Sequence, residues 1–264
     1  MTGAAQQTAL SPVGLILTGL PLAGVDAATA AELRQLLAAH GVLVLPGQRL
    51  DDDGFVAFLA NFGHLAFTPG ETPVPGHPDL NVVSNVGRVT PPRSVFHVDT
   101  SYVHRPPAYT ALRAVTIPAH GGETLFTNQY RAFDTLPPGM RARLAGRTIR
   151  HVVTAVAPGD GAETSATHPV FRRHPISGRT ALYLSTPERC VAISGLPDAE
   201  ARTLIEFLYA HSTAAHNTYR HTWSPGDVVM WDNGCVLHRA DHAGVVGDRV
   251  MHRGMVTGYA GATR

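Results

Sequence analysis

The stretch Phe96-His97-Val98-Asp99-Thr100-Ser101-Tyr102 holds two metal-binding side chains, His97 and Asp99, separated by a single residue. In a β-strand, residues i and i+2 point to the same face of the sheet. Because the surrounding residues favour a strand, His97 and Asp99 are expected to direct an imidazole nitrogen and a carboxylate oxygen to one point. Two histidines and one carboxylate on one face are typical of mononuclear iron(II) sites, which keep their other coordination positions for substrates.

A distant histidine has to complete such a site, and His238 is the best candidate. It lies near the end of a hydrophobic segment, Trp231-Asp232-Asn233-Gly234-Cys235-Val236-Leu237-His238, that otherwise has the character of a core strand. Alternation places Cys235 on the opposite face, so its thiol is not expected to share the metal. A His-x-Asp pair alone has a simpler explanation, a hydrogen-bonded structural pair, so the metal interpretation depends on the rest of the pattern.

Other residues able to do chemistry follow at fixed distances. Within Gly121-Gly122-Glu123-Thr124-Leu125, Thr124 comes 27 residues after His97, while Arg249 and Arg253 follow His238 by 11 and 15 residues. Together with Trp231-Asp232-Asn233, this pattern resembles the taurine dioxygenase (TauD/TfdA) family of Fe(II)- and 2-oxoglutarate-dependent dioxygenases. The resemblance extends from about position 14 to position 258.

The resemblance implies a role for each matched residue. His97, Asp99 and His238 match the iron ligands, and Thr124 and Arg249 match the pair that holds a 2-oxoglutarate carboxylate. Such pairing suits a planar guanidinium, which can bind a carboxylate through two hydrogen bonds. The implied reactants are Fe(II), 2-oxoglutarate, O2 and a C–H bond of the substrate, with release of succinate and CO2. A carboxylate at position 99 favours hydroxylation or a related oxidation, because halogenating relatives leave this ligand position empty.

The substrate is predicted to be a small anionic metabolite, a carboxylate or an amino-acid-like molecule. Arg253 matches the residue that meets an acid group of the substrate, and Arg93 and Tyr102 are further substrate-binding candidates. Taurine itself is disfavoured, because Thr68 and Glu71 stand where taurine-type members carry His and Tyr. Glu71 could pair with a substrate amine. A sulfonate or sulfate ester is the alternative substrate class.

Structural explanations for these residues are stated alongside the functional ones. Arg249 could pair with Asp248 or Asp241 at the surface, Arg253 could form a structural salt bridge, and Thr124 could be an ordinary strand residue. Two other classes of protein also remain open: a zinc hydrolase that uses the same three ligands to activate water, and a catalytically silent jelly-roll binding module.

The elements that must position these residues indicate an α+β protein with a double-stranded β-helix (jelly-roll) core, flanking helices and mobile active-site loops. Helices are predicted over 26–41, 51–63 and 196–212 from their N-caps and apolar spacing. The Pro- and Gly-rich stretch 66–79 reads as a long loop. A single domain over 1–264 is expected, with insert or lid segments at about 66–78 and 155–215.

Bulk properties exclude several function classes. The net charge of +1 gives no reason to expect nucleic acid or an anionic membrane as partner. All 21 basic residues are arginines, which excludes Schiff-base chemistry and a P-loop lysine. The two cysteines and the absence of a signal-peptide pattern or a long apolar run favour a cytoplasmic protein. A homo-oligomer, most commonly a dimer, is the default expectation.

Overall fold

The computed structural model describes residues 5–68, 70–88 and 94–259. Its helices, in chain order, are α1 Ala27–His40, α2 Asp52–Ala60, α3 Gln129–Asp134, α4 Pro138–Leu144 and α5 Asp198–Ser212. Its strands are β1 Gln6–Ala9, β2 Leu15–Thr18, β3 Val42–Leu45, β4 Leu65–Ala66, β5 Pro73–Val74, β6 His77–Ser84, β7 Pro107–Thr116, β8 Thr124–Asn128, β9 Thr148–Val152, β10 Ser165–Pro169, β11 Phe171–Arg173, β12 Thr180–Leu182, β13 Cys190–Ile193, β14 Thr218–His221, β15 Val228–Asp232, β16 Val236–Ala240 and β17 Val250–Thr257.

The strands form a large sheet and a small sheet that together hold the site. The large sheet has the order β1-β2-β3-β15-β7-β17-β6-β5, and β4 pairs with β17 beside this path. The small sheet has the order β14-β8-β16. A further three-stranded sheet, β10-β9-β13, and the hairpin β11–β12 lie in the second half of the chain. The predicted α+β architecture is confirmed.

Alternation along β15 shows how the two faces of the large sheet are used. Val228 and Met230 belong to a core that includes Leu33 of α1 and Phe55 of α2. Trp231, on the opposite face, belongs to a second core with residues of the small sheet. Period-two alternation therefore buries one face against helices and the other against the small sheet. The site lies on the face of the large sheet that packs against the small sheet.

The three helices predicted from sequence are present. Asp26 and Asp51 cap α1 and α2 by accepting from the backbone N–H three residues on, at 2.8 Å in both cases. Each aspartate thereby satisfies one of the N–H groups that have no partner within the helix. The apolar face of α5 packs against a third core through Leu204, Ile205 and Leu208.

One predicted loop, the stretch 66–79, contains more regular structure than expected. Within 66–78 the chain forms β5 and the start of β6, which pair as an antiparallel hairpin at the edge of the large sheet. Proline is tolerated there because an edge strand has one side without pairing partners. Segment 155–215 contains β10 to β13 and α5. The segment begins with a loop and includes the helix that was predicted over 196–212. The division into one domain with inserts stays a prediction.

Candidate active site

The three predicted metal ligands converge on one point. His238 lies on β16, and an isolated antiparallel bridge joins it to His97 through backbone hydrogen bonds of 3.0 and 3.1 Å. His97 Nε2 lies 3.7 Å from Asp99 Oδ1, and His238 Nε2 lies 3.7 Å from Asp99 Oδ2. One ligand atom from each residue falls within 4.8 Å of the others. This separation matches three donors on one face of a metal ion.

The strand predicted around His97 is wrong. The chain makes a single bridge at His97 and then turns, and Thr100 takes a left-handed φ of 41°. Asp99 reaches the common point because of this turn and not because of regular i, i+2 alternation. A positive φ at a residue other than glycine is uncommon and costs energy. The contacts that surround Asp99 maintain this left-handed conformation of Thr100.

Hydrogen bonds orient the ligands. His97 Nδ1 lies 2.9 Å from the Val95 carbonyl, which only accepts, so Nδ1 carries the proton and Nε2 keeps its lone pair for a metal.

The Thr110 hydroxyl donates to Asp99 Oδ2 at 2.8 Å. Thr110 in turn accepts from Asn233 Nδ2 at 2.8 Å, and Asn233 accepts from the Trp231 indole at 3.2 Å. This chain of donors runs from the Trp231-Asp232-Asn233 motif to the carboxylate.

The protonation states also suit metal binding. Burial alone would raise the pKa of Asp99, but the neighbouring His238 and the Arg253 guanidinium hold that pKa well below its usual range. Burial lowers the pKa of His238 to about 3. At neutral pH the site therefore offers a carboxylate and a neutral imidazole, the forms in which these side chains bind metals. An Asp and two His nitrogens in this arrangement fit a mononuclear iron(II) ion.

A buried arginine lies next to the triad without an acidic partner. Arg249 is 1% exposed, and burial lowers its pKa to about 10. Its Nε donates to the Gly122 carbonyl at 2.7 Å and its Nη2 to Thr124 Oγ1 at 3.3 Å. Its Nη1 is buried and has no hydrogen-bond acceptor among the described residues. A buried cation with an unused donor is suited to binding an anion.

The Gly121-Gly122 pair makes room for this arginine. Both glycines have left-handed φ values, 74° and 78°. A Cβ on Gly122 would lie 2.9 Å from Arg249 Cδ, so a larger residue would push the guanidinium away from Thr124. The alternatives in which Arg249 pairs with Asp248 or Asp241 are wrong, because Arg249 forms no ion pair with any acidic residue in the described part of the chain.

A cavity of about 440 Å³ connects the triad and Arg249 to the surface. Arg253 reaches into it and places Nη1 3.5 Å from Asp99 Oδ1 and Nη2 3.3 Å from Glu71 Oε1. Glu71 also lines the cavity and so does not project from the protein as a purely solvated loop residue. The apolar part of the wall is formed by Val82, Val83, Val95, Leu112 and Val156.

Residues 6–255 match the family model described as "Taurine catabolism dioxygenase TauD, TfdA family". The chain belongs to the TauD, TfdA family. It is 31% identical over 249 residues to the alpha-ketoglutarate-dependent 2,4-dichlorophenoxyacetate dioxygenase of Cupriavidus pinatubonensis, covering 84% of this chain and 86% of the relative. It is 33% identical over 265 residues to pentalenolactone F synthase of Streptomyces arenae, covering 86% of each.

A solved structure agrees with this family assignment. The crystal structure of AAD-2 in complex with Mn(II) and N-oxalylglycine superposes with a TM-score of 0.85 at 25% identity, covering 97% of this chain and 98% of that one. The jelly-roll prediction is confirmed. The predicted enzyme class is also confirmed, because relatives are named alpha-ketoglutarate-dependent dioxygenases, enzymes that use Fe(II), 2-oxoglutarate and O2. The zinc-hydrolase and binding-module alternatives are set aside. No helix in the described residues is long and apolar enough to cross a membrane.

One substrate-binding candidate of this TauD, TfdA-family chain is not on the cavity wall. Tyr102 is 3% exposed and does not line the cavity. The residue that does is Arg189, whose guanidinium carbon lies 5.3 Å from the Tyr102 ring centre. Thr68 is buried, with its hydroxyl 4.0 Å from Met255 Sδ. Arg93 lies outside the described residues.

Sequence reasoning missed the residues that support the ligands. Thr110 lies in the middle of an apolar strand, where its hydroxyl looks incidental. Asn233 belongs to a motif that was noted without a role. Trp223 donates its indole N–H to Thr124 Oγ1 at 3.0 Å and was not singled out. A polar residue in a strand that is buried on both faces is the signal that could have identified Thr110.

A second cluster of metal-binding residue types, His174, Asp232 and Cys235, is a structural network. Backbone N–H groups of Ile176 and Ser177 point at His174 Nδ1 at 3.2 Å, so the proton is on Nε2, which donates to Asp232 Oδ2 at 2.9 Å. Burial raises the pKa of the Cys235 thiol well above its usual value. As predicted, Cys235 stays apart from the triad.

Proposed function

We propose that this protein is an Fe(II)- and 2-oxoglutarate-dependent dioxygenase whose metal is held by His97, Asp99 and His238 and whose 2-oxoglutarate is anchored by Arg249 and Thr124. The observation that carries the proposal is the buried Arg249 Nη1, which has no acceptor among the described residues, in a side chain that lines the same cavity as His97 and His238. A metal chelated by a 2-oxo acid supplies the oxidising chemistry when O2 binds. The protein's own residues position the two substrates and exclude water.

Each residue has a defined task in that reaction. Thr110 and the Val95 carbonyl fix the orientation of the Asp99 and His97 ligands. Arg249 and Thr124 bind the distal carboxylate of 2-oxoglutarate and so place its 2-oxo acid end toward the triad. The apolar wall of the cavity keeps water away from the C–H bond that reacts.

The test is anaerobic addition of Fe(II) and 2-oxoglutarate to metal-free protein while the weak visible charge-transfer band of the chelate is recorded. We expect the band in the wild type and its loss in His97→Ala. Arg249→Met should raise the 2-oxoglutarate concentration at half-saturation by about 10- to 100-fold, since it removes a charge-assisted contact.

Arg113→Met is the matched control for Arg249→Met. Arg113 is a partly buried arginine on β7, and its guanidinium pairs with Asp52 at 2.6 Å, away from the cavity. Arg113→Met should leave the 2-oxoglutarate concentration at half-saturation unchanged. If Arg249→Met binds 2-oxoglutarate as well as the wild type does, the anchor lies elsewhere.

For the substrate we propose a small carboxylate that also carries an amine, with an apolar body. Arg253 can meet a carboxylate, but Glu71 lies 3.3 Å from it and would repel a simple anion. An ammonium group beside the carboxylate would pair with Glu71, so a zwitterion satisfies both charges. A relative at 31% identity is named for 2,4-dichlorophenoxyacetate, and this favours a carboxylate over a sulfonate or a sulfate ester.

Succinate release tests the substrate class. Apolar amino acids should support more 2-oxoglutarate turnover than the same acids without the amine, and Glu71→Gln should reverse this preference. Glu163→Gln, an exposed change at a residue that pairs with His104, is the control. An unchanged preference in Glu71→Gln would remove the amine from the proposal while leaving the carboxylate.

A further inference from the structure

Trp223 lies behind Thr124, and the only polar atom of its side chain, the indole nitrogen, forms a hydrogen bond with that residue. The side chain is 6% exposed, and its indole N–H donates to Thr124 Oγ1 at 3.0 Å. It follows β14, which pairs with β8 so that His221 lies opposite Thr124. The His221 ring meets the Trp223 ring edge-on, with centres 4.7 Å apart, and restricts the plane of the indole.

The Thr124 oxygen therefore has two donors. Besides the Trp223 indole, Arg249 Nη2 lies 3.3 Å from it. An indole N–H and a guanidinium can only donate, and a hydroxyl oxygen accepts through two lone pairs. Both lone pairs are in use, so the hydroxyl proton has to point to a third partner. Residues 5–68, 70–88 and 94–259 supply no acceptor for it, and Thr124 lines the cavity.

We propose that Trp223 is a positioning residue that fixes Thr124 as a hydrogen-bond donor to the distal carboxylate of 2-oxoglutarate. The inference rests on the proposed function, in which Arg249 and Thr124 hold that carboxylate. With the indole in place, the Thr124 hydroxyl and the unused Arg249 Nη1 offer protons only. A carboxylate offers acceptors only, so Trp223 makes the subsite selective for an ionised carboxylate over a neutral group.

The experiment compares two 2-oxo acids of equal chain length. Binding of 2-oxoglutarate and of 2-oxovalerate, which lacks the distal carboxylate, is followed by the visible band of the anaerobic Fe(II) protein. Trp223→Phe should weaken the binding of 2-oxoglutarate by about 3- to 10-fold, the effect of losing one hydrogen bond. The same variant should leave the affinity for 2-oxovalerate unchanged within about 2-fold, because 2-oxovalerate has no distal carboxylate to bind Thr124 and Arg249.

Thr124→Val and the double variant complete a mutant cycle. In the Thr124→Val background, Trp223→Phe should cause no further loss of 2-oxoglutarate affinity, because the hydroxyl it orients is gone. The inference would be overturned if Trp223→Phe weakened the binding of both 2-oxo acids equally. It would also be overturned if the losses of 2-oxoglutarate affinity in the two single variants simply added in the double variant. Failure of the wild type to bind either ligand would instead contradict the proposed function.

A second measurement keeps the inference testable should Trp223→Phe fail to fold. The chain has two tryptophans, so the Zn(II)-loaded protein gives two indole N–H signals in a ¹⁵N NMR spectrum. Thr124→Val should shift the Trp223 signal upfield and speed its exchange. The Trp231 indole donates to Asn233 and serves as the internal control. If the Trp223 signal does not move, Thr124 is not its acceptor and the inference is wrong.

Discussion

Replacing Thr110 by valine should weaken metal binding although Thr110 contacts no metal. Thr110 is completely buried on β7, donates to Asp99 Oδ2 at 2.8 Å and accepts from Asn233 at the same distance. Valine keeps the shape and removes the hydroxyl. The Asp99 carboxylate then loses a charge-assisted hydrogen bond worth about 1.5–3 kcal/mol, and the Asn233 amide loses its acceptor.

Two quantities should change as a result. The Kd for Mn(II) should rise by about 10- to 100-fold, the usual effect of removing a group that orients a metal ligand. The free energy of unfolding of the metal-free protein should fall by about 1–3 kcal/mol, because a polar group is left buried without a partner. Mn(II) binding can be followed by the EPR signal of the free ion, and unfolding by urea titration.

Two matched variants separate orientation from general damage. Thr110→Ser keeps both hydrogen bonds and should bind Mn(II) within about 3-fold of the wild type, at the stability cost of one buried methyl group. Thr116→Val makes the same chemical change at an exposed position of the same strand and should leave both quantities unchanged. If Thr110→Val loses stability but binds Mn(II) normally, the reasoning about Asp99 is refuted.

The remaining predictions concern stability. Burial favours a raised pKa at Asp52, but hydrogen bonds from His252 and Arg113 outweigh it and lower that pKa below 3.8. The contribution of Asp52 is therefore present above about pH 4 and lost as the pH falls through its folded-state pKa. The urea midpoint of Asp52→Asn should be lower than that of the wild type at pH 7, and the difference should shrink as the pH falls below 3.8; the exposed Asp160→Asn should track the wild type throughout. Gly254→Ala should destabilise the protein by about 1–3 kcal/mol, because its Cβ would lie 2.2 Å from Leu59 Cδ1. Gly139→Ala, which meets nothing within 4 Å in α4, should change stability by no more than about 1 kcal/mol, and toward greater stability; equal losses in the two glycine variants would contradict the packing argument.

The sequence by itself was sufficient to identify the family and the candidate metal ligands. The family resemblance pointed to five residues. His97, His238, Thr124 and Arg249 line one cavity, and the Asp99 carboxylate lies within 4.8 Å of the two histidine nitrogens. The helices were predictable for a related reason. Caps such as Asp26 and Asp51 and the apolar period act within a few residues, so they are visible in the sequence alone.

Tertiary structure decided how those residues are held. Asp99 reaches the site through a turn with a left-handed Thr100, where local propensity predicts a strand. The hairpin of β5 and β6 forms in a Pro-rich stretch because pairing with the sheet edge outweighs composition. Thr110, Asn233 and Trp223 come from strands and loops distant in sequence. Their roles depend on hydrogen bonds across sheet partners, which no local pattern encodes.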